Sequence, residues 1–246
     1  MKTPKANLPG ILRIHDKANS LIATSSLALL LALPAGAATT IIPVTNHSFE
    51  TNSVADGGFS LNAPTGWTKT SGTASGYWNP QDGDYPGSTA PGTLPAPADG
   101  VNAMFVSGTP FGYMKQTTGE VIAAGKTYTM TVAVGARLNG DFDADEILLR
   151  LGYGADQFLT PIADNTFGGT ANLTAGEFKD FSVSFTALEG ETYIGQNLAV
   201  LMGMSLFDAA NTAAVDFDNV RLTAIPEPSA ALLGGLGLLA LLRRRR

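Results

Sequence analysis

Apolar and polar residues alternate with a period of two along most of the middle of this chain. Between residues 126 and 134, tyrosine, methionine and valine alternate with threonine or alanine, and segments 181–185, 198–204 and 215–222 repeat the pattern. Successive side chains of a strand point to opposite faces of a sheet, so this alternation predicts half-buried β-strands. Further strand candidates are 40–45, 66–71, 101–107, 112–118, 146–153 and 157–163.

Glycine, asparagine and aspartate separate these short segments. The pattern therefore predicts one all-β domain over residues 39–224, an antiparallel β-sandwich of the jelly-roll type. The pair Asp218-Asn219 interrupts the last segment, which predicts a β-bulge there. Residues 72–100 are rich in glycine, proline, serine and threonine and show little alternation, so we expect a long surface loop.

Composition removes several classes of function. The chain has no cysteine and only two histidines, His15 and His47, which excludes disulfides, thiolate metal sites, a cysteine nucleophile and a centre built from several histidines. Segment 39–224 carries nineteen acidic and seven basic residues. A domain this acidic repels a phosphate backbone, so we expect no nucleic-acid partner.

The amino-terminal segment has the layout of a secretory signal peptide. A basic stretch of about 20 residues precedes an apolar run from Leu21 to Leu33, and Pro34 and a small-residue exit follow. We predict a signal helix within residues 1–38 that is cleaved after Ala37 or Ala38 by the secretion machinery. An uncleaved anchor is the alternative, although the run is short for a membrane span.

The carboxyl-terminal segment predicts a second targeting signal. Residues 230–242 are thirteen apolar residues, which reach about 20 Å as a helix and form a short transmembrane candidate. The arginines that follow this run favour a cytoplasmic location for the carboxyl terminus, which places the β-domain on the opposite side of the membrane. The motif residues are Pro226, Glu227 and Pro228, and then Arg243, Arg244, Arg245 and Arg246.

Segment 225–246 resembles the PEP-CTERM sorting signal of Gram-negative bacteria. The resemblance implies recognition by an exosortase at the inner membrane, on the way to the cell surface or extracellular matrix.

The sandwich itself resembles jelly-roll carbohydrate-binding modules and galactose-binding-like domains. The resemblance rests on Asn46 to Glu50, Gly66-Trp67, 112–116, 124–128 and the closing segment 217–222. It implies a structural calcium ion held by Glu50 and Asp218, with backbone carbonyls near Asn46; Asp216 is the substitute ligand. Calcium prefers six to eight oxygen ligands, which carboxylates and carbonyls supply.

Sugar binding needs flat aromatic faces beside polar groups. Trp78, Tyr77 and Tyr85 lie in the predicted loop and are the candidate platform, with loop packing as the alternative. No nucleophile elbow accompanies His47, and the spacing of the carboxylates selects no catalytic pair.

The sequence thus predicts an exported, non-catalytic protein that binds polysaccharide in the exopolysaccharide matrix. A secreted glycan hydrolase is the alternative, and a purely structural surface protein is the third class.

Overall fold

The computed structural model describes residues 38–70, 75–88, 92–107, 111–140, 142–144, 146–205 and 213–227. The predicted apolar helix 230–242, and all of the signal peptide except Ala38, lie outside these ranges. Among the described residues, no helix has the length and hydrophobicity that a membrane crossing requires.

The described part of the chain is almost entirely β-structure. In chain order its elements are β1 (Thr40–Ile42), β2 (Phe59–Ser60), β3 (Thr68–Lys69), β4 (Ser75–Trp78), β5 (Ala103–Ser107), β6 (Phe111–Val121), β7 (Lys126–Ala136), β8 (Glu146–Tyr153), β9 (Thr160–Phe167), the one-turn helix α1 (Gly169–Asn172), β10 (Glu177–Thr186), β11 (Asn197–Ser205) and β12 (Ala214–Pro226).

Two antiparallel sheets pack as a sandwich, which confirms the predicted fold class. The first sheet has the order β10-β7-β12-β5-β4-β2, and β1 also pairs with β12. The second sheet has the order β3-β6-β11-β8-β9. The core between them contains Tyr128, Met130 and Val132 from the first sheet and Leu149 and Met202 from the second, all essentially without solvent exposure.

Strand β12 changes register halfway along, as the sequence predicts. The register shifts where Asn219 adopts a positive φ of 45°. Before this bulge the core residues are Val215 and Phe217, and after it they are Val220 and Leu222. One extra residue therefore lets both halves of the strand bury apolar side chains in the same core.

The segment predicted as a long loop, 72–100, contains strand β4, which pairs with β5 on one side and β2 on the other. The sequence Ser-Gly-Tyr-Trp is too short to establish a period of two, so alternation could not reveal it. The rest of the segment is also not simply exposed, because Tyr85 and Leu94 are buried.

Candidate functional site

A second group of buried residues lies on the outer face of the first sheet, by which we mean the face turned away from the second sheet. Phe105 belongs to this group, whereas its neighbours Met104 and Val106 lie in the main core. This follows from alternation along β5. The members of the group are Trp78, Tyr85, Leu94, Ala103, Phe105, Ala133 and Phe178.

A fully buried carboxylate, that of Asp216, lies beneath this group of residues. Asp216 is opposite Phe105 on β5 and Gly135 on β7, and its side chain has no solvent exposure. The Tyr85 hydroxyl donates to its Oδ2 over 2.6 Å. Arg137 donates through Nε to Oδ2 over 3.0 Å and through Nη2 to Oδ1 over 2.9 Å. The carboxylate thus has a two-bond guanidinium partner and a phenol partner, which satisfies a buried charge.

The protonation of this cluster follows from its burial. Burial raises the pKa of Tyr85 well above its usual value, and the charge of Asp216 and the hydrogen bond to it raise it further. Burial alone would lower the pKa of Arg137, but the charge of Asp216 and its hydrogen bonds outweigh this and raise it. Tyr85 therefore stays a neutral donor and Arg137 stays a cation at neutral pH.

Gly135 leaves the space that the cluster occupies. A Cβ at this position would lie 2.6 Å from Cε1 of Phe178 and 2.7 Å from the Tyr85 hydroxyl. Any larger residue would therefore force Phe178 or Tyr85 to move. A glycine in a strand interior here marks the close approach of another group rather than a turn.

An open cavity of about 280 Å³ adjoins the cluster. Its walls are apolar and aromatic, apart from one hydroxyl and one guanidinium; they consist of Phe59, Leu61, Trp78, Phe105, Ser107 and Arg137. The guanidinium carbon of Arg137 lies 3.6 Å from the centre of the Trp78 ring and 5.9 Å from that of Phe105. The cavity is near the lower end of the range of small-molecule pockets, roughly 300–1,000 Å³.

The predicted calcium ligands come close together at a second place on the same sheet. Glu50 accepts backbone hydrogen bonds from Val101 and Asn102 through Oε1, and the Asn102 amide donates to its Oε2 over 2.9 Å. Asp218 is buried, and its Oδ2 accepts the backbone N–H of Asp99 over 2.6 Å. The loop residues 99–102 therefore connect the two carboxylates.

Two buried oxygen atoms at this place have no hydrogen-bond donor in the part of the chain that the structure describes. They are Oδ1 of Asp218 and Oδ1 of Asn102. Burial raises the pKa of Asp218 well above its usual value, and the charges of Glu50 and Asp99 add to the effect. Unpaired oxygen donors with a shared negative charge are the ligands that calcium prefers.

Other features of this region do not match the calcium site predicted from the sequence. Within the described ranges, no three acidic or histidine side chains converge as a metal-binding group. The Asn46 carbonyl already accepts hydrogen bonds from Phe49 and Trp67. Asp216, the substitute ligand, pairs with Arg137 instead.

The three aromatic residues predicted to form a sugar platform do not form one. Trp78 and Tyr85 are only 7% and 2% exposed, because Arg137 covers the first and Phe178 stacks on the second. Tyr77 is half-buried and lies on the face of β4 opposite to Trp78, because neighbouring residues of a strand alternate between the two faces. The interpretation as an exposed platform is therefore wrong, although Trp78 does line a cavity.

The described part of the sorting motif continues the sandwich. Pro226 is the last residue of β12 and lies opposite Lys126. The Glu227 N–H donates to the Gly125 carbonyl over 2.7 Å, and its Oε1 accepts a hydrogen bond from Thr186 over 3.2 Å. Pro228 and the arginines 243–246 lie outside the described residues.

Arg137 is the residue that sequence reasoning missed. It is one of the few basic residues of an acidic domain, and it directly follows the strongly alternating β7 segment. The small number of basic residues in this domain could have drawn attention to Arg137 as a candidate site residue. Its partner Asp216 is 79 positions away, so no local motif connects them.

The chain is similar to a family of enzymes. A family model described as HpiC1-like, HpiC1 cyclase, matches residues 40–223. A cyclase from Fischerella sp. TAU shares 25% identity at a TM-score of 0.61, over 77% of this chain and 99% of that chain. An apo form cyclase from Fischerella sp. shares 26% identity at the same TM-score, over 77% of this chain and 98% of that chain.

A third solved structure contains a ligand. This cyclase from Fischerella sp. TAU, in complex with 4-(1H-indol-3-yl)butan-2-one, shares 25% identity at a TM-score of 0.60, over 76% of this chain and 98% of that chain. Carbohydrate-binding modules are also among the similar structures, with TM-scores of 0.43 and 0.34. No curated protein matches the sequence significantly.

These findings correct the functional prediction. The non-catalytic, polysaccharide-binding protein predicted from the sequence is wrong, because the family match and the cyclase structures indicate an enzyme of the cyclase type. The alternative of a glycan hydrolase is wrong for the same reason. The physical reason for the error is that the cavity is lined from distant segments, and no single stretch of sequence contains it.

The Arg137–Asp216 pair gives a direct test of this site. Replacing Arg137 by Gln leaves a buried charge without its cation, so we expect the free energy of unfolding in urea to fall by about 3–5 kcal/mol. The double variant R137Q/D216N removes both charges and should recover most of this loss. Arg150→Gln breaks a pair with Asp164, whose side chain is 34% exposed and can be solvated by water, and it serves as the control, with an expected loss below about 1 kcal/mol. Equal losses in R137Q and R150Q would contradict the burial argument.

Proposed function

The chain belongs to the HpiC1-like cyclase family, and from this premise we propose that it is an enzyme that closes a ring in a substrate bound in the outer-face cavity. The single observation that carries the proposal is the cavity itself. It combines aromatic walls with one anchored cation, Arg137, on a sheet that the family match covers. The ketone bound by the similar cyclase has a planar indole body, and an aromatic cavity near 280 Å³ suits a planar apolar group.

Ring closure requires two parts of one flexible molecule to be held together and shielded from water. Phe59, Trp78 and Phe105 supply flat apolar surfaces that bind and fold such a molecule, which lowers the entropic part of the barrier. Arg137 supplies a positive charge that needs no reorganisation during the reaction, because Asp216 holds it. Tyr85 and Asp216 are positioning residues in this scheme.

The cyclase proposal is tested with the purified full-length protein and 3-substituted indoles that carry an unsaturated side chain. An isomerising ring closure gives a product of unchanged mass and changed retention in liquid chromatography with mass detection. We expect Trp78→Leu to lower kcat/KM at least about tenfold, since it removes one wall of the cavity. Phe158→Leu is the matched control, because Phe158 lies against Tyr113 on the second sheet. Absence of any product, together with no binding of 4-(1H-indol-3-yl)butan-2-one, would contradict the proposal.

We also propose that Glu50, Asn102 and Asp218 hold a calcium ion. The support is the pair of buried oxygens on Asn102 and Asp218, which accept no hydrogen bond from any described residue. Backbone carbonyls and water would complete the six to eight ligands. A bound cation would give Asp218 a counter-charge and fasten the loop 99–102 to both ends of the domain.

Thermal unfolding with and without calcium tests this site. Because the pKa of Asp218 is raised in the folded state, its contribution to stability is full at low pH and is lost as the pH rises through that pKa. At pH 7 without calcium, Asp218→Asn should therefore unfold at a higher temperature than the wild type. Calcium at 100 times its dissociation constant should stabilise the wild type by about 2.7 kcal/mol and leave D218N unchanged. Asp164→Asn is the control and should respond like the wild type. Equal responses in all three proteins would contradict the site.

The location of the enzyme is a further part of the proposal. We propose that residues 1–38 direct export, and that the Pro-Glu-Pro motif with its apolar and basic tail directs sorting by an exosortase at the inner membrane. The support is the order of basic, apolar and small residues at one end and of motif, apolar run and arginines at the other.

Intact-mass spectrometry of the protein from its native host tests both ends. We expect an amino terminus at Ala38 or Thr39 and a carboxyl terminus near residues 226–228. A mass equal to that of the uncut 246-residue chain would contradict both processing steps.

A further inference from the structure

The guanidinium of Arg137 has a second edge that no described residue occupies. Arginine presents five N–H donors, and its side edge, formed by Nε and one Nη2 hydrogen, is taken by Asp216. The end edge consists of Nη1 and the other Nη2 hydrogen. Within the described ranges, these atoms donate to no protein group, although the side chain is 23% exposed and lines the cavity.

Charge is distributed unevenly across this pair. Asp216 has no solvent exposure, whereas Arg137 forms part of the cavity wall. The negative charge is therefore behind the positive one when seen from the cavity. Of the six lining residues, Arg137 alone is charged.

A further donor of the cavity wall is also unsatisfied. Nε1 of Trp78 is buried and has no hydrogen-bond partner among the described residues. A buried indole N–H normally donates to an acceptor, so the cavity wall has a donor that a bound molecule could satisfy. The remaining lining side chains are apolar apart from Ser107.

We propose that the substrate of this enzyme is a planar apolar molecule that carries a carboxylate, and that Arg137 binds this group through its end edge. The inference rests on the proposed function, since it concerns the same cavity. A carboxylate accepts two parallel N–H bonds from a guanidinium edge, and such charge-assisted pairs are roughly twice as strong as neutral hydrogen bonds. The aromatic walls take the flat body, and Asp216 and Tyr85 fix the direction of the guanidinium.

Two probes of the same shape test the proposal by isothermal titration calorimetry on the full-length protein. Indole-3-propionate differs from 4-(1H-indol-3-yl)butan-2-one only in a carboxylate in place of the methyl ketone. We expect the wild type to bind the acid at least about tenfold more tightly than the ketone, in line with a charge-assisted pair. Arg150→Gln, which alters an ion pair on the second sheet, should keep this ratio.

The double variant R137Q/D216N separates recognition from folding, because it removes the cation without leaving a buried charge. We expect it to bind the two probes within about threefold of each other, because the group that distinguishes acid from ketone has been removed. Equal or tighter binding of the ketone by the wild type would overturn the inference and leave the cavity as the substrate site. An undiminished preference for the acid in R137Q/D216N would also overturn it. Binding of neither probe by the wild type would overturn the inference and the proposed cavity together.

Discussion

The burial of one carboxylate, Asp216, on the outer face of the first sheet determines how the rest of this site is arranged. A buried charge needs a cation and further hydrogen bonds. Arg137 and Tyr85 meet this need, and each brings an aromatic neighbour: Trp78 under the guanidinium and Phe178 against the phenol. The contact between Arg137 and Trp78 also forms part of the cavity wall. The electrostatic requirement of one buried side chain therefore also contributes to the shape of the cavity.

The two faces of the first sheet differ in their chemistry. The face between them contains a conventional apolar core, to which Met130 and Leu149 belong. The outer face of the first sheet bears ionised groups and a cavity, so the core can stabilise the fold without taking part in binding. A sandwich of this kind allows the outer face to change its chemistry while the interior stays the same.

The sequence predicts most of the fold because alternation is a local signal. The predicted strand 146–153 matches β8 residue for residue, and the bulge near Asn219 was visible as a polar pair within an apolar strand. Strand β4 was missed because four residues are too few for a period. Trp78, Tyr85 and Asp216 were each noticed singly, but as sugar or calcium ligands. Their real relation joins positions 131 apart along the chain, and only the tertiary structure brings such positions together.

The bulge in β12 has a consequence for how this enzyme can vary. Ahead of it, even-numbered residues face outward and odd-numbered residues face the core; beyond it, the assignment is reversed. Losing the single extra residue would turn Asp216 and Asp218 inward, or else expel Leu222 and Ala224 to the surface. A change of chain length at this one point would therefore exchange the core-facing and outward-facing sides of half a strand, and with them the ion pair of Asp216 and the apolar packing of Leu222.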